Sequence, residues 1–411
     1  MIEDVLGEAI DAPLSRGMQA EVEFTVRWSS DEASHEERYL ARKVDPHRDF
    51  FPPGMDAPLK GAEVGTTSTG DYIPGKVVPG QRPRKIATLD RGCFKPMKIG
   101  GRTVEPVSGR FYPYQLLGSH PGIRTTDVRP AFRVVDVRGS EVKVDFNHPL
   151  AARHLAVEAR LVKVYDRRSR GKLPDWMEEI CMNGPGMQAR TGGLRTKFDV
   201  DYALQRQDED DSGFYAQPRQ VDHVDKTALR LIREEYTKRL STGAKVLDLM
   251  SSKQSHLPED MDLAVTGLGM NVEELGANTL LMERLVHDLN AEPALPFGDA
   301  SFDNVVNSLS VEYLTNPRAV TAEVLRVLRP GGQFMVSFSN RWFPEKVTAL
   351  WTELHDFERM GLVLDYLLEA GFKDCWTVSI RNHWRPKDDP HFANTWDSDP
   401  VFVVGGVKTN S

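Results

Sequence analysis

LPFGDASFDNVVNSLSVEYL at 295–314, followed by AEVLRVLRPGGQFMVSFSN at 322–340, decides the fold. A short turn carrying Asp299 and Phe302 leads into the apolar run FDNVV. A helical segment then ends at Leu328, and Pro330, Gly331 and Gly332 turn the chain into the strand pattern QFMVSFS. The same alternation extends upstream. KVLDLMSS (245–252) reads as a buried strand ending in Asp248 and small hydroxyl residues, and LAVTGLGM (263–270) as a second strand. Asn271 with Glu274 three residues later has capping-box spacing, which starts a helix there and assigns Glu274 to its cap rather than to a ligand. In KTALRLIREEYTKRL (226–240), Ala228, Leu229, Ile232, Tyr236 and Leu240 share one face, with Glu234 and Glu235 four residues before Lys238 and Arg239. This is a surface helix opening an α/β unit. Strands alternating with helices predict a doubly wound parallel sheet, whose ligand crevice lies at the carboxyl ends of its strands.

Working outward, the texture changes. From Glu21 to about Tyr165 the pattern has period two, broken by Gly and Pro: VEFTVRW (22–28), FRVVDV (132–137), VKVDF (142–146) and AVEARLVKV (156–164) predict short strands. Between the regions lie RRSRGK (167–172) and the acidic run QDEDDSG (207–213), so 166–213 reads as a connector with local structure. No internal repeat is visible. The expected organisation is a mainly β domain over 1–165, the connector, and an α/β domain over 214–411.

The chain has 411 residues, 40% apolar and 27% charged, enough for two cores and far from the composition of disordered chains. A net charge of −8 argues against nucleic acid as a partner. No stretch has the roughly 20 continuous apolar residues of a membrane span, and Met1-Ile2-Glu3-Asp4 lacks the pattern of a signal peptide, so a cytoplasmic protein is expected. Cys93, Cys181 and Cys375 are scattered, which predicts neither a disulfide framework nor a thiolate metal site; no metal is expected.

The joined phrases LPFGDASFD and VLRVLRPGG resemble class I S-adenosylmethionine-dependent methyltransferases of the type 11 group, over about 215–409. FYAQPRQVDHVD (214–225), VLDLMSSKQSHLP (246–258) and GLGMNVEEL (267–275) resemble a branch in which D-L-M-S-S replaces the glycine loop. The resemblance implies a Rossmann-like sheet, S-adenosylmethionine as cofactor, and cofactor contacts from Arg219, Asp248, Met250, Ser251, Ser252, Gly269, Met270, Asn271, Asp288, Leu289, Asn290 and Ser308. Two departures stand out. Met250-Ser251-Ser252 replaces the family's glycines, so that serine hydroxyls would take the cofactor carboxylate. Gly269 stands where the family has the acid that holds the ribose, which moves that contact to Glu273 or removes it.

A sulfonium is an activated methyl donor, so the protein must align acceptor and methyl group and exclude water, with a base needed only for a protonated acceptor. Candidates for that chemistry are Tyr215, His223, His256, Asn340 and Arg341. Plainer roles stand against three of the site residues: His256 as a loop histidine, His223 as a helix-start contact, and Arg219 as a surface ion-pair partner. The acceptor is expected to be a small organic molecule or a polypeptide.

In the first region, VKVDFNHPLAARHLAVEARLVKV (142–164) and FPPGMDAPLKGAEVG (51–65) resemble SlyD-type FKBP prolyl isomerases over about 20–165. The resemblance implies an inserted peptide-binding flap over 84–129 and a pocket from Tyr39, Phe50, Phe51, Met55, Tyr72 and Ile73. Asn147-His148-Pro149 reads as a turn, with His148 a turn residue rather than a catalyst. A substrate-presenting or stabilising domain is expected rather than an isomerase. The alternative for the whole chain is a chaperone-like peptide binder whose methyltransferase fold is degenerate.

Overall fold

The structure is a computed structural model, and it describes residues 8–95, 97–99, 101–117, 131–167, 173–190, 194–219 and 222–409. Residues 118–129 of the expected flap and 168–172 of the basic run lie outside the described residues. The chain divides into two units: Met1–Asp31 with His35–Lys197, and Glu32–Ser34 with Phe198–Ser411.

The first unit contains strands β1 (Ala9–Ile10), β2 (Gln19–Ser29), β3 (Ala33–Val44), β4 (Thr67–Tyr72), β5 (Ile86–Asp90), β6 (Met97–Ile99), β7 (Arg102–Val104), β8 (Phe111–Pro113), β9 (Ala131–Arg138), β10 (Glu141–Asp145) and β11 (Leu155–Tyr165). One sheet has the order β1-β11-β2-β3, with β4 also on β11; a second runs β5-β10-β9-β8, and β6 and β7 form a hairpin. The alternation in AVEARLVKV works as expected, since Val157, Ala159 and Leu161 are buried against Val22, Phe24 and Val26. β3 has no counterpart among the predicted strands. Its charged sequence hides an alternation in which Ala33, His35 and Glu37 are the buried members.

VKVDF and AVEARLVKV, the strands either side of the Asn147-His148-Pro149 turn, fall in different sheets. The described part of 84–129 is not a bare flap: with β9 and β10 it builds a core of Leu89, Phe94, Tyr112, Phe132, Val134 and Val144. His148 sits in its turn, Nδ1 accepting from the Leu150 N–H at 3.0 Å. The six expected pocket residues do not form one wall: Met55 and Tyr72 are buried in the core, Tyr39 and Phe51 pack against it, while Phe50 and Ile73 are 58% and 60% exposed. Nor is 166–213 a separate connector. The helix Trp176–Cys181 buries Trp176, Met177 and Ile180 in the first unit's core, and the chain enters the second unit at Phe198.

The second unit contains β12 (Lys245–Leu249), β13 (Ala264–Gly269), β14 (Leu281–Val286), β15 (Phe302–Ser308), β16 (Leu328–Phe338), β17 (Lys373–Arg381) and β18 (Val401–Val407). The sheet order is β17-β18-β16-β15-β12-β13-β14, parallel from β16 to β14 and antiparallel at β18 and β17. Val246, Leu247, Val305 and Val306 are wholly buried or nearly so, as central strands of a sheet covered on both faces require. This is a Rossmann-like arrangement, with the strand order reversing between β12 and β15 and leaving a crevice there.

The opening helix spans Lys226–Thr237, capped by the Asp225 carboxylate on the Thr227 and Ala228 N–H groups. It buries Ala228, Leu231, Ile232 and Tyr236. Of the expected charge pairs, Glu235 takes Arg239 at 2.9 Å, whereas Glu234 turns back to Arg230. The helix Pro317–Val327 ends one residue before Leu328, where β16 already begins, and Gly331 at φ +82° supplies the backbone bend expected of Pro-Gly-Gly.

Candidate cofactor site

The carboxyl ends of β12, β13, β14 and β15 open into one cleft. Its walls include Tyr215, Arg219, His223, Asp248, Met250, Ser251, Ser252, His256, Gly269, Met270, Asn271, Asp288, Leu289, Asn290 and Ser308, every one a sequence-stated candidate. Asn340 and Arg341 are outside it. Arg341 turns away to Asp399 at 3.0 Å, and the loop after β16 sends Phe343 into the cleft instead.

The first loop departs from β12 with Met250 at φ +55°, a left-handed conformation that glycine usually supplies. Ser251 N–H then bonds the Leu268 carbonyl at 2.8 Å, laying the loop across the end of β13. That crossing explains Gly269: a Cβ there would meet the Ser251 carbonyl oxygen at 2.1 Å. The place of the family acid is filled by backbone. The cleft-facing acid comes from the next helix, Val272–Ala277, and it is Glu274, buried, rather than Glu273, which is exposed.

Glu274 also corrects the capping expectation. Asn271 caps the helix, accepting from the Glu273 and Glu274 N–H groups, and its Nδ2 donates to the Tyr215 carbonyl at 2.9 Å. The Glu274 carboxylate meanwhile receives Ser252 Oγ at 2.5 Å and the Arg219 N–H at 2.6 Å. Asn271 and Glu274 therefore dock the 215–219 segment and the first loop to one helix start.

The serine hydroxyls are already engaged as donors. Ser251 Oγ and Ser255 Oγ donate to Asp248 at 2.7 and 2.6 Å, and burial pushes the Asp248 carboxyl up to about 6 despite those two bonds. Ser308 Oγ shares a 2.9 Å bond with Tyr236, whose hydroxyl also reaches Ser337. Arg219 is a donor with spare capacity. Its guanidinium lies 3.7 Å over the Phe214 ring and 5.2 Å from Phe343, its Nε is buried without a partner, and no carboxylate pairs with it among the described residues. It is therefore not the surface ion-pair residue of the plainer reading.

On the other side, Asp288 Oδ1 accepts from the Asn290 and Ala291 N–H groups, fixing the loop after β14. Asn290 spends its own amide on Asp211, Tyr313 and Thr315. It shapes the wall rather than offering a contact.

Two histidines stand in the cleft as neutral rings. Burial lowers His256 to about 4, with the nearby His223 ring adding to the effect, and its Nδ1 is buried without a hydrogen-bond partner. Burial likewise lowers His223, which packs edge-on to Phe343 at 5.6 Å; the adjoining helix is capped by Asp225, so His223 is not the cap. Tyr215 is raised far above neutrality by burial and remains a phenol. Sequence reasoning missed Asp211, Gln254, Glu274, His287, Leu309, Ser310, Tyr313 and Phe343. Asp211 lay in the run read as connector.

Residues 255–336 match the methyltransferase domain family. The chain is 25% identical over 191 residues to an O-methyltransferase of Pyrenophora dematioidea, covering 42% of this chain and 72% of that protein. It is 27% identical over 190 residues to the O-methyltransferase cnsE of Penicillium expansum, covering 42% and 68%. A "probable S-adenosylmethionine-dependent methyltransferase" of Mycolicibacterium smegmatis is 44% identical over 89 residues, 21% of this chain and 34% of that protein. The chain is an S-adenosylmethionine-dependent methyltransferase, and S-adenosylmethionine is its cofactor. No helix among the described residues is long and apolar enough to cross a membrane.

Proposed function

We propose that this chain uses the cleft between β12 and β15 to methylate a hydroxyl of a small organic or polypeptide acceptor, with the first unit, FKBP-like in sequence, presenting or stabilising the substrate. The observation that carries the reading is convergence: the first loop, the end of β13, the loop after β14 and the 215–223 segment line one cleft at the carboxyl ends of the strands. The cofactor fits the polar groups left open there. Arg219, with its unpaired buried Nε, takes the methionine carboxylate. Asp288 and Leu289 border the adenosine end, and Ser251 and Ser252 act by holding the loop through Asp248 and Glu274.

S-adenosylmethionine supplies the activated methyl group. The chain's own work is to position and to take a proton. Phe343, Tyr313 and Tyr215 exclude water from the acceptor side, and His256 Nδ1, buried without a hydrogen-bond partner, is the atom offered to the hydroxyl proton as the methyl group transfers. The naming of two relatives as O-methyltransferases agrees with an oxygen acceptor. Titration calorimetry of the full chain with S-adenosylhomocysteine tests the reading, and absence of heat at millimolar ligand with folded protein overturns it.

One observation favours a second reading, a polypeptide binder with a degenerate methyltransferase fold: the second strand offers Gly269, not an acid, and the Ser251 carbonyl occupies that space. Transfer of labelled methyl from the donor to any component of a cell extract excludes it.

A further inference from the structure

The acidic run QDEDDSG sends Asp211 into the wall of the cleft, and one buried lysine holds the run. Lys346 has no solvent exposure. Its ammonium contacts Asp208 Oδ2 at 2.8 Å and Asp211 Oδ1 at 3.1 Å, and donates to the carbonyls of Asp210 at 2.8 Å and Asp208 at 3.3 Å. Arg206 grips Asp211 through both carboxylate oxygens at 2.8 and 2.9 Å, and Asn290 Nδ2 reaches Asp211 Oδ2 at 2.8 Å. Two cations thus face two carboxylates. Asp211, Arg206 and Lys346 are each at least nine-tenths buried, so their charges depend on these partners, with Asp208 reaching in from a part-exposed position.

The cluster ties three separate pieces of chain. Asp211 is the first residue of the short helix Asp211–Tyr215, which carries Tyr215 and leads to Arg219. Asn290 belongs to the loop after β14 that Asp288 fixes, and Lys346 to the loop after β16 that carries Phe343. The Asp208 N–H bonds the Glu345 carbonyl at 3.0 Å, so the two segments are also joined through backbone. Lys346 further lies 4.8 Å over the Phe214 ring, the ring on whose face Arg219 stacks.

We propose that Lys346 is a positioning residue: through Asp208 and Asp211 it latches the 206–219 segment closed, and so places Arg219 and Tyr215 over the cofactor cleft. The inference rests on the reading of that cleft as the cofactor site. Lys346 does not itself line the cleft. Its effect reaches the cleft through the placement of Arg219, so loss of Lys346 loosens ligand binding and exposes the segment together.

The test uses the full chain with Lys346→Met and the milder Asp208→Asn, with Lys408→Met as a control. Lys408 likewise donates to backbone carbonyls, those of Arg326 and Leu328, but at the far end of β16. Two readouts are taken: the rate of tryptic cleavage after Arg206 and Arg219, and the dissociation constant for S-adenosylhomocysteine. Expected for Lys346→Met is cleavage at least tenfold faster at those two sites and a dissociation constant raised roughly tenfold, with Asp208→Asn intermediate and Lys408→Met unchanged in both. If Lys346→Met fails to fold, Asp208→Asn decides by the same readouts. Cleavage and affinity within twofold of the parent, with only the melting temperature lowered as in Lys408→Met, overturn the latch. If the parent itself takes up no S-adenosylhomocysteine, the cofactor reading fails, and the cleavage rates still decide whether Lys346 holds the segment closed.

Discussion

Restoring the family's acid at Gly269 should harm this protein rather than help it. A Cβ at 269 would sit 2.1 Å from the Ser251 carbonyl oxygen and 3.3 Å from Leu275 Cδ2, where the first distance must open by about 1 Å to reach ordinary contact. The obstacle is backbone, held in place by the 2.8 Å bond from Ser251 N–H to the Leu268 carbonyl, so it cannot swing aside as a side chain would. Overpacking of this kind costs roughly 1 to 3 kcal/mol, and moving the loop forfeits a hydrogen bond worth about 1 kcal/mol more. Gly269→Ala should therefore destabilise the second unit by roughly 2 to 4 kcal/mol, lowering its melting temperature by about 5 to 15 °C at the usual sensitivity for a domain of this size. Gly269→Asp should be at least as damaging. Both should weaken S-adenosylhomocysteine binding, because the displaced loop carries Met250, Ser251 and Ser252. The assays are thermal unfolding and titration calorimetry on the same samples. A Gly269→Asp variant that melts with the parent and binds more tightly would refute the reasoning.

Other perturbations separate structure from binding. Ser252→Ala removes the 2.5 Å bond to Glu274, and Asp288→Ala frees the loop after β14; each should raise the dissociation constant for S-adenosylhomocysteine about tenfold, and unchanged affinity in both would remove the site assignment. Glu312 is buried with Oε2 unpartnered, and burial pushes its carboxyl up to about 8 from an ordinary 4.5. The folded state therefore keeps a proton that the unfolded state has released, and stability should fall as pH rises from 4.5 through 8, by up to about 1.4 kcal/mol per pH unit. Glu312→Gln should flatten that slope in urea titrations, and an unaltered slope would show that the group is ionised when folded. Every residue of the cleft lies after Lys197, so a chain beginning at Phe198 should bind S-adenosylhomocysteine as the full chain does, whereas a polypeptide acceptor recruited by the first unit would show lost apparent affinity with turnover kept.

The second unit's sheet was legible because its central strands are short continuous apolar runs, such as VLDL and FDNVV, separated by capped helices. The residues ending those strands were legible with them, since a parallel sheet sends all its strand ends to one edge: Asp248, Ser251, Gly269 and Ser308 were bound to meet, while Asp288 came from the family resemblance. β3 was not legible, because its buried positions include His35 and Glu37, which satisfy themselves through partners that sequence spacing does not reveal; Glu37, for instance, receives Trp28 and the distant Gln188. The same blindness applied to the site. Nothing in QDEDDSG distinguishes a solvated acidic run from one neutralised by a lysine 135 or so residues later, and only the folded chain sets Lys346 against Asp208 and Asp211. Sequence alone fixed which strand ends would gather. Tertiary structure decided which polar groups there are already spent on one another, as with Ser251 on Asp248 and Ser252 on Glu274, and which remain open, as with Arg219 Nε and His256 Nδ1. Hydrogen-bond saturation depends on distances across the fold, and period and spacing along the chain carry no information about those distances.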